Sequence, residues 1–175
     1  MKRLRFNNKI NLLNLNKLKN YTLDNKSINL INVEYSQKKI FQKISTKSNT
    51  YIKNSFDLAF KILKKRITDK LINGPISKKH FLNKKFLGIT EYLGLNFKSK
   101  KNAMLIYNKK LSVCPITTHL PIKLVSKKIN KKNISDKVLL INNFYKKKFG
   151  FKPKIAILGL NPHCESVHNY NEDEK

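Results

Sequence analysis

The feature that most limits how this chain can fold is a continuous apolar run near its end, residues 154–160 (KIAILGL). Apolar side chains at successive positions are typical of a strand that is covered on both faces inside a parallel sheet. The run is too short to span a membrane. We therefore predict a buried strand from Lys154 to Leu160.

The clearest helical pattern lies between Ser48 and Arg66. Apolar residues recur there at helical spacing, at Ile52, Phe56, Ala59, Phe60 and Leu63. Ser48 to Thr50 supply candidate N-cap residues. The pattern predicts an amphipathic helix whose apolar face lies against the core.

The remaining segments alternate between strand and helix patterns. Further strands are predicted at residues 28–35, 70–72, 103–107 and 111–116, with a hairpin turn at 108–110. Further helices are predicted at residues 77–85, at 121–129, and from a cap at Ser135 to Gly150. Residues 88–97 are expected to form a loop leading into another helix. Residues 1–26 show no clear period. This alternation favours an α/β sandwich with a mostly parallel or mixed sheet.

The net charge of +28, with a pI near 10.2, raises the question of nucleic-acid binding. Arginine, whose planar fork reads phosphates and bases, occurs only at Arg3, Arg5 and Arg66. The lysines are dispersed along the chain, and Asn and Ile are abundant beside them. We interpret this as a solvated lysine surface from a biased composition, with no specific nucleic-acid partner.

Cysteine usage and the lack of targeting patterns bear on localisation. Cys114 and Cys164 are the only cysteines and lie far apart, so a disulfide framework is not indicated. The basic start, Met1 to Arg5, is not followed by the apolar core of a signal peptide. These features predict a soluble cytoplasmic protein without a membrane partner.

Two histidines follow predicted strands. His119 lies in the run TTHLP, just past residues 111–116, and His163 lies in GLNPH, at the end of residues 154–160. In open α/β sheets, ligand sites form beyond the carboxyl ends of strands. Two imidazoles on proline-containing loops suit a divalent metal such as Zn²⁺, Co²⁺ or Mn²⁺. Such a metal would lower the pKa of a substrate hydroxyl.

A catalytic metal site normally takes three protein ligands. Candidates for the third lie near His163, at Cys164, Glu165 and His168. None has the spacing of a helical metal-binding pair. From spacing alone, the simpler interpretation is favoured, in which each histidine only hydrogen-bonds within its loop.

Four short motifs occur in the order found in one enzyme family. They are Asn73 to Ile76 (NGPI) with Lys78, the pair Thr90-Glu91, residues 117–121 (TTHLP) and residues 159–163 (GLNPH). In this order and spacing the chain resembles the 4-hydroxythreonine-4-phosphate dehydrogenase family. The resemblance covers about residues 71–165, and the last two motifs are its most specific part.

The resemblance implies a fold and an activity. The fold would be a three-layer α/β/α sandwich of the isocitrate/isopropylmalate dehydrogenase type, with residues 1–175 forming part of a single dehydrogenase unit. The activity would be oxidation and decarboxylation of 4-phosphooxy-L-threonine in pyridoxal phosphate (vitamin B6) synthesis. It would use NAD or NADP and a divalent metal such as Zn, Mg or Co. The partners would be a phosphorylated small-molecule substrate and a second copy in a homodimer.

The resemblance also implies roles for individual residues in metal and substrate binding. His119 and His163 match two of the family's three metal-ligand histidines, and Thr90 matches a threonine that contacts the phosphorylated substrate. Lys78 either helps to hold an anionic group or is a solvated lysine. Asn161 and Pro162 would shape the turn that aims His163.

The chain departs from the family pattern at several points. Ile89 stands where the family commonly has a substrate-binding histidine, and Ser77 where other members can carry histidine. The third metal histidine and a lysine, an asparagine and an arginine of the substrate pocket are expected beyond Lys175. A motif rich in Gly and Pro is expected before Met1. These departures predict an internal fragment or a truncated gene model, inactive by itself.

Three alternatives remain at this point. Ile89 keeps open a dehydrogenase of a related phosphorylated sugar acid, threonate or erythronate 4-phosphate. The net charge of +28 keeps open a basic nucleic-acid-binding protein. A non-functional remnant would retain the motifs but would be unstable.

Overall fold

The computed structural model describes residues 8–24, 26–37, 43–83, 85–99 and 101–159. The chain is α/β, with one small parallel sheet and several helices. It divides into two compact units, one ending at Phe86 and the other beginning at Leu87. The predicted single dehydrogenase unit remains a prediction.

The sheet of the first unit pairs β1 (Ile10–Leu12) with β2 (Ile28–Leu30) in parallel, Ile10 opposite Ile28. A parallel pair requires a crossover, and here the connection contains a 3₁₀ helix, Leu15–Asn20. The strand predicted at residues 28–35 is thus confirmed in its first part and ends at Leu30.

The amphipathic helix predicted up to Arg66 is confirmed as α1 (Asn49–Lys64). Its apolar stripe contributes Phe56 and Phe60, which are only 6% and 3% exposed. The Ser48 side chain makes no cap hydrogen bond to the helix; its hydroxyl donates to the Ser45 carbonyl instead.

The core of the first unit lies between α1 and a π-helix, Lys78–Leu82. The Phe56 and Phe81 rings stack with centroids 5.7 Å apart, and Leu82 is buried. The Asn49 amide donates to the His80 carbonyl at 2.8 Å. The short helix predicted at residues 77–85 is therefore confirmed in a shorter form.

The buried strand predicted at residues 70–72 is wrong. The segment has no strand structure, and Ile72 is 96% exposed. A three-residue run needs a neighbouring strand to receive its backbone hydrogen bonds, and none pairs with it among the described residues.

The second unit begins with α2 (Ile89–Asn96), where a loop was predicted. That prediction is wrong because Gly88 and Gly94 lower the helix propensity of the segment without preventing the helix. Gly88 serves as the extended N-cap residue, and Glu91 lies in the first turn, where a negative charge is favourable. Gly94 contacts the Asn102 side chain and leaves no room for a Cβ atom.

The structure confirms the predicted hairpin only as one antiparallel bridge between two residues. Ile106 and Val113 exchange two backbone hydrogen bonds of 2.8 and 3.0 Å. The Asn108 side chain accepts from the Lys110 N–H within the turn. The predicted turn is confirmed. The prediction of strands at residues 103–107 and 111–116 is wrong, since only one pair of residues forms a bridge.

The last helix, α3 (Lys131–Phe149), begins earlier than predicted. The cap is Asn130, whose side chain accepts from the Asn133 N–H at 3.0 Å; Ser135 lies inside the helix. Gly150 ends it with a φ of +78°, which confirms its predicted role. The helix predicted at residues 121–129 is split into two 3₁₀ turns, Ile122–Leu124 and Ser126–Lys128.

An aromatic cluster packs the C-terminal part of α3. Its members are Tyr107, Phe144, Tyr145, Phe149 and Phe151. Tyr145 is buried at its centre and donates a hydrogen bond to the Ser112 hydroxyl at 3.0 Å. The cluster therefore links α3 to the hairpin.

The buried strand predicted at residues 154–160 is not found in its described part, 154–159. These residues form no strand, and Leu158 is 89% exposed. No strand lies beside them in the described ranges to pair with their backbone. Leu160 lies outside the described residues. The three-layer sandwich thus remains a prediction.

Candidate active site around His119

The start of α2 positions the first group of candidate residues. Gly88 is buried and adopts an extended backbone, with φ −164°, before the helix begins. Thr90 lies in the first turn of α2, half-buried, as does Ile89. Gly88 has no side chain and makes no cap hydrogen bond to the first N–H groups of the helix.

The loop after the hairpin brings His119 to the same place. His119 has a left-handed backbone, with φ +57°, which is uncommon for residues other than glycine. A Cβ atom built on Gly88 would lie 3.3 Å from His119 Nε2 and 2.9 Å from Glu91 Oε2. The imidazole and the carboxylate thus both lie beside Gly88 and leave too little room for a side chain there.

Glu91 is held by the residue that precedes His119. The Thr118 hydroxyl donates to Glu91 Oε1 at 3.4 Å. Glu91 Oε2 is inaccessible to solvent and has no hydrogen-bond partner among the described residues. A buried carboxylate oxygen is normally satisfied by a donor or a cation. Oε2 is therefore the group in this site that lacks a partner.

A polar cleft of about 300 Å³ borders the same loop. Thr117 and Thr118 line it, together with three lysines, Lys101, Lys128 and Lys137. Lys101 forms an ion pair of 2.7 Å with Asp136, and Lys137 donates to the Asn102 carbonyl. With three cations and one carboxylate, the cleft carries a positive charge that favours anions nearby.

Cys114 lies between the hairpin bridge and the His119 loop, partly buried. Burial raises the pKa of the Cys114 thiol above its ordinary value, and the positive charge of Lys137 opposes the rise in pKa without cancelling it. A thiol of this kind is a weak nucleophile and a weak metal ligand at neutral pH.

Two of the donors that a divalent metal needs are present at this site. His119 supplies an imidazole nitrogen and Glu91 an unpartnered carboxylate oxygen, both accepted ligand types for zinc. Within the described ranges, no group of three His, Cys, Asp or Glu side chains converges. Of the two histidines expected to bind the metal, only His119 lies within the described residues, so the metal site remains a prediction.

Several predicted site residues lie elsewhere. His163, Asn161 and Pro162 are outside the described residues, as are Cys164, Glu165 and His168. Lys78 belongs to the first unit, where it is exposed at the start of the π-helix. Of the sequence-predicted residues, Thr90 lies in the first turn of α2, and His119 lies beside Gly88, the N-cap residue of that helix.

Sequence reasoning missed the contribution of Glu91 and Gly88. Glu91 was noted only as part of a motif, whereas its carboxylate accepts a hydrogen bond from Thr118, the residue before His119. The signal was a rare acidic residue next to Thr90 in a chain with only 10 acidic residues and 38 basic ones. Gly88 gave no signal, because its role depends on the distant His119 loop.

None of the described helices combines the length and apolar character that a membrane span requires.

Comparison with known proteins identifies relatives along nearly the whole chain. Residues 2–175 match the family described as pyridoxal phosphate biosynthetic protein PdxA. A 4-hydroxythreonine-4-phosphate dehydrogenase of Sulfurihydrogenibium sp. (strain YO3AOP1) is 40% identical over 151 residues, which cover 85% of this chain and 46% of that protein. The enzyme of the same name from Aquifex aeolicus (strain VF5) is 40% identical over 87 residues, 50% of this chain and 27% of the relative.

A more distant relative with the same name, from Colwellia psychrerythraea (strain 34H / ATCC BAA-681), is 28% identical over 152 residues and again covers 85% of this chain and 46% of its own length. The chain spans about half the length of the curated relatives it matches. The resemblance seen in the motifs is thereby confirmed, and the chain belongs to the PdxA family of pyridoxal phosphate biosynthetic proteins.

Proposed function

We propose that the protein containing this chain is a 4-hydroxythreonine-4-phosphate dehydrogenase. It oxidises 4-phosphooxy-L-threonine with NAD or NADP and a divalent metal, and releases CO2 to give 3-amino-2-oxopropyl phosphate for vitamin B6 synthesis. One observation carries the proposal for this chain. In a member of the PdxA family, His119 lies beside Gly88, at the start of the helix that contains Thr90.

His119 and His163 would hold the metal, which could be Zn, Mg or Co. When bound, the metal polarises the substrate hydroxyl and the carbonyl formed from it. The left-handed backbone of His119 supports this role, since such conformations cluster at functional sites when the surroundings hold them in place. The nicotinamide cofactor accepts the hydride.

Thr90 would contact the phosphorylated substrate. It lies in the first turn of α2, where the helix dipole and N–H groups without a side-chain cap favour an anion. The positive cleft that borders Thr117 and Thr118 adds a field of the same sign. Both features support a substrate that carries a phosphate.

A second substrate class is favoured by Ile89. The residue before Thr90 is apolar and half-buried, and it cannot hydrogen-bond the amino or carboxylate group of the threonine derivative. Threonate or erythronate 4-phosphate, which lack the amino group, are therefore the competing substrates.

The fold and assembly proposed for the complete site follow the family. We propose a three-layer α/β/α sandwich and a cytoplasmic homodimer. Large apolar side chains of the second unit, among them Ile106, Leu139 and Phe144, are 60%, 55% and 42% exposed. Covering such side chains stabilises an assembly. Light scattering on the purified protein measures whether a dimer forms.

The substrate is tested with the full-length protein that contains this chain, by following NADH absorbance with each phosphorylated acid in turn, after metal removal and again after metal addition. We expect metal-dependent NADH formation, with a higher kcat/KM for 4-phosphooxy-L-threonine. A preference for a sugar acid phosphate would retain the reaction class and change the substrate. NADH formation that is indifferent to metal would overturn the metal part of the proposal, and no NADH formation with any substrate would overturn the activity itself.

A further inference from the structure

We propose that Glu91 is a positioning residue of this site. Its carboxylate accepts a hydrogen bond from the Thr118 hydroxyl and thereby holds the loop of residues 117–121, so that His119 stays beside the start of α2. The inference rests on the proposed function, in which His119 binds the metal, and it adds a residue that acts on His119 through Thr118.

The hydrogen bond joins two parts of the second unit that are distant in sequence. Thr118 Oγ1 donates to Glu91 Oε1 at 3.4 Å, and the two residues are 27 positions apart. This length exceeds the usual O–H···O range of about 2.5 to 3.0 Å, so the bond is a weak one. Because Thr118 directly precedes His119, the bond restrains the backbone that carries the imidazole. Losing it is therefore expected to shift His119 moderately and to leave the fold intact.

The burial of the carboxylate indicates a role other than stabilising the fold. Glu91 Oε2 is inaccessible to solvent and accepts no hydrogen bond within the described part of the chain. The ion pairs found there, Lys53–Asp57 and Lys101–Asp136, do not involve Glu91. Burying a carboxylate oxygen without a partner is unfavourable. The carboxylate thus occupies a position that lowers stability, which is usual for groups that serve a functional site.

The backbone of His119 requires a restraint of this kind. Its φ of +57° lies in the left-handed region, which a residue other than glycine keeps only when its surroundings hold it there. The structure holds the loop from two sides. The imidazole packs beside Gly88, where Nε2 lies 3.3 Å from the position of a Cβ atom, and Thr118 is held by Glu91. Without the bond to Glu91, the loop has one restraint fewer.

The position of Glu91 in α2 explains why an acidic residue supplies the acceptor. It is the third residue of the helix, after the N-cap residue Gly88. At this position a glutamate side chain often folds back over the helix start, where the helix dipole favours its negative charge. Oε2 lies 2.9 Å from the position that a Cβ atom on Gly88 would occupy, so the side chain is folded back in this way. The other oxygen, Oε1, is thereby brought to Thr118.

The test is a double-mutant cycle on the full-length protein that contains this chain. Glu91→Ala removes the acceptor, and Thr118→Val removes the hydroxyl but keeps the shape of the side chain. The first measurement is hydrogen–deuterium exchange of the amides of residues 117–121 in the metal-free protein. We expect each variant to raise the exchange rate by at least about 3-fold, and the double variant to raise it no further, because both changes remove the same bond. Unchanged exchange in both single variants, or a double variant that shows the product of the two single effects, would overturn the proposal.

The second measurement is calorimetric titration of Co²⁺ into the same proteins. Each single variant should lower the Co²⁺ affinity by about 10-fold and the double variant by about the same factor, since both remove one bond that orients a metal ligand. Glu91→Gln keeps an acceptor oxygen and Thr118→Ser keeps the hydroxyl, so both should stay within about threefold of the unaltered protein. A loss in Glu91→Gln as large as that in Glu91→Ala would show that Glu91 does not act through this hydrogen bond.

Glu34→Ala and Thr68→Val are the matched controls. Glu34 is an exposed glutamate bonded to Asn32, and the hydroxyl of the exposed Thr68 accepts from the Lys70 N–H. Both variants should leave the exchange of the loop and the Co²⁺ affinity within about twofold of the unaltered protein.

The outcomes separate this proposal from the proposed function. His119→Asn removes the imidazole, and asparagine tolerates its left-handed backbone. If the Co²⁺ affinity falls in His119→Asn but exchange and affinity are unchanged in Glu91→Ala and Thr118→Val, Glu91 has no positioning role and the metal role of His119 stands. If the exchange of the loop changes as expected but the protein binds no Co²⁺, Glu91 holds the loop and the metal part of the proposed function is wrong.

Circular dichroism of each variant establishes that it is folded. If Glu91→Ala is not folded, the comparison of Thr118→Val with Thr118→Ser decides. Faster exchange of the loop in Thr118→Val alone supports the proposal, and equal exchange in the two variants overturns it.

Discussion

Glu91 Oε2 and His119 Nε2 both lie within 3.3 Å of the position that a Cβ atom on Gly88 would occupy. The Thr118 hydroxyl, from a residue 27 positions after Glu91, donates to Glu91 Oε1. The contact joins the first turn of α2 to the loop after the hairpin. The close approach of both side chains makes Gly88 the residue on which the geometry of the candidate site depends most directly.

Replacing Gly88 by alanine should therefore damage the site with little strain in the backbone. Its φ of −164° is accessible to any residue, whereas the new Cβ would lie 3.3 Å from His119 Nε2 and 2.9 Å from Glu91 Oε2, so the His119 imidazole would have to shift. We expect the Co²⁺ affinity of Gly88→Ala to fall by about 10-fold or more. Gly74→Ala is the control, because nothing lies within 4 Å of its Cβ position. Equal affinities in the two variants would contradict the proposed geometry.

The core of the first unit should depend strongly on Phe60. Its side chain is only 3% exposed, and truncating a buried phenylalanine costs about 3 to 5 kcal/mol. Phe60→Ala should lower the free energy of unfolding by about that amount in urea denaturation. Ile72→Ala, at a position that is 96% exposed, should change it by less than about 0.5 kcal/mol. Similar losses in both variants would show that α1 is not packed as described.

Gly150 should stabilise the end of α3 only through its backbone conformation, and not through packing. Its φ of +78° ends α3, and no atom lies within 4 Å of its Cβ position. Gly150→Ala should therefore destabilise the protein by about 1 kcal/mol through left-handed strain. Gly150→Asn should lose less, because asparagine tolerates this conformation. Thermal denaturation of the two variants measures the difference, and an equal stability for alanine and asparagine would contradict the assignment.

The Cys114 thiol should react slowly with alkylating reagents. Burial raises its pKa, so at a given pH less thiolate is present than in a free cysteine. In a Cys164→Ser background, the rate of alkylation by iodoacetamide should rise with pH and reach its midpoint above that of free cysteine. A midpoint at or below the value for free cysteine would show that Cys114 is not buried in the folded protein.

The sequence correctly predicted the elements whose signals lie within a few neighbouring residues. The stripe containing Phe56 and Phe60 predicted α1, and Gly150 predicted the end of α3, because each signal lies within one or two helical turns. The strands at residues 70–72 and 154–160 were predicted from apolar content alone. A strand also needs a partner, and the described residues provide none for Ile72 or Leu158.

The residues of the candidate site also divide into those that a local motif predicts and those that it does not. His119 and Thr90 were predicted because they belong to short motifs that a resemblance can match. The role of Glu91 was not predicted, because it arises from the distance between its carboxylate and the His119 loop. Gly88 was placed in a loop, because glycine lowers helix propensity in a helix interior, and its contact with the distant His119 loop has no local signal.

The most direct test is the rate of NADH formation from 4-phosphooxy-L-threonine by the metal-loaded full-length protein that contains this chain and by its His119→Asn variant. His80→Gln serves as a control for loss of an imidazole, since the His80 ring bonds Ser77 in the first unit. We predict metal-dependent NADH formation that His119→Asn lowers by at least about 100-fold and His80→Gln leaves within about twofold. Equal rates in the unaltered protein and in His119→Asn would contradict the central claim that His119 holds the catalytic metal.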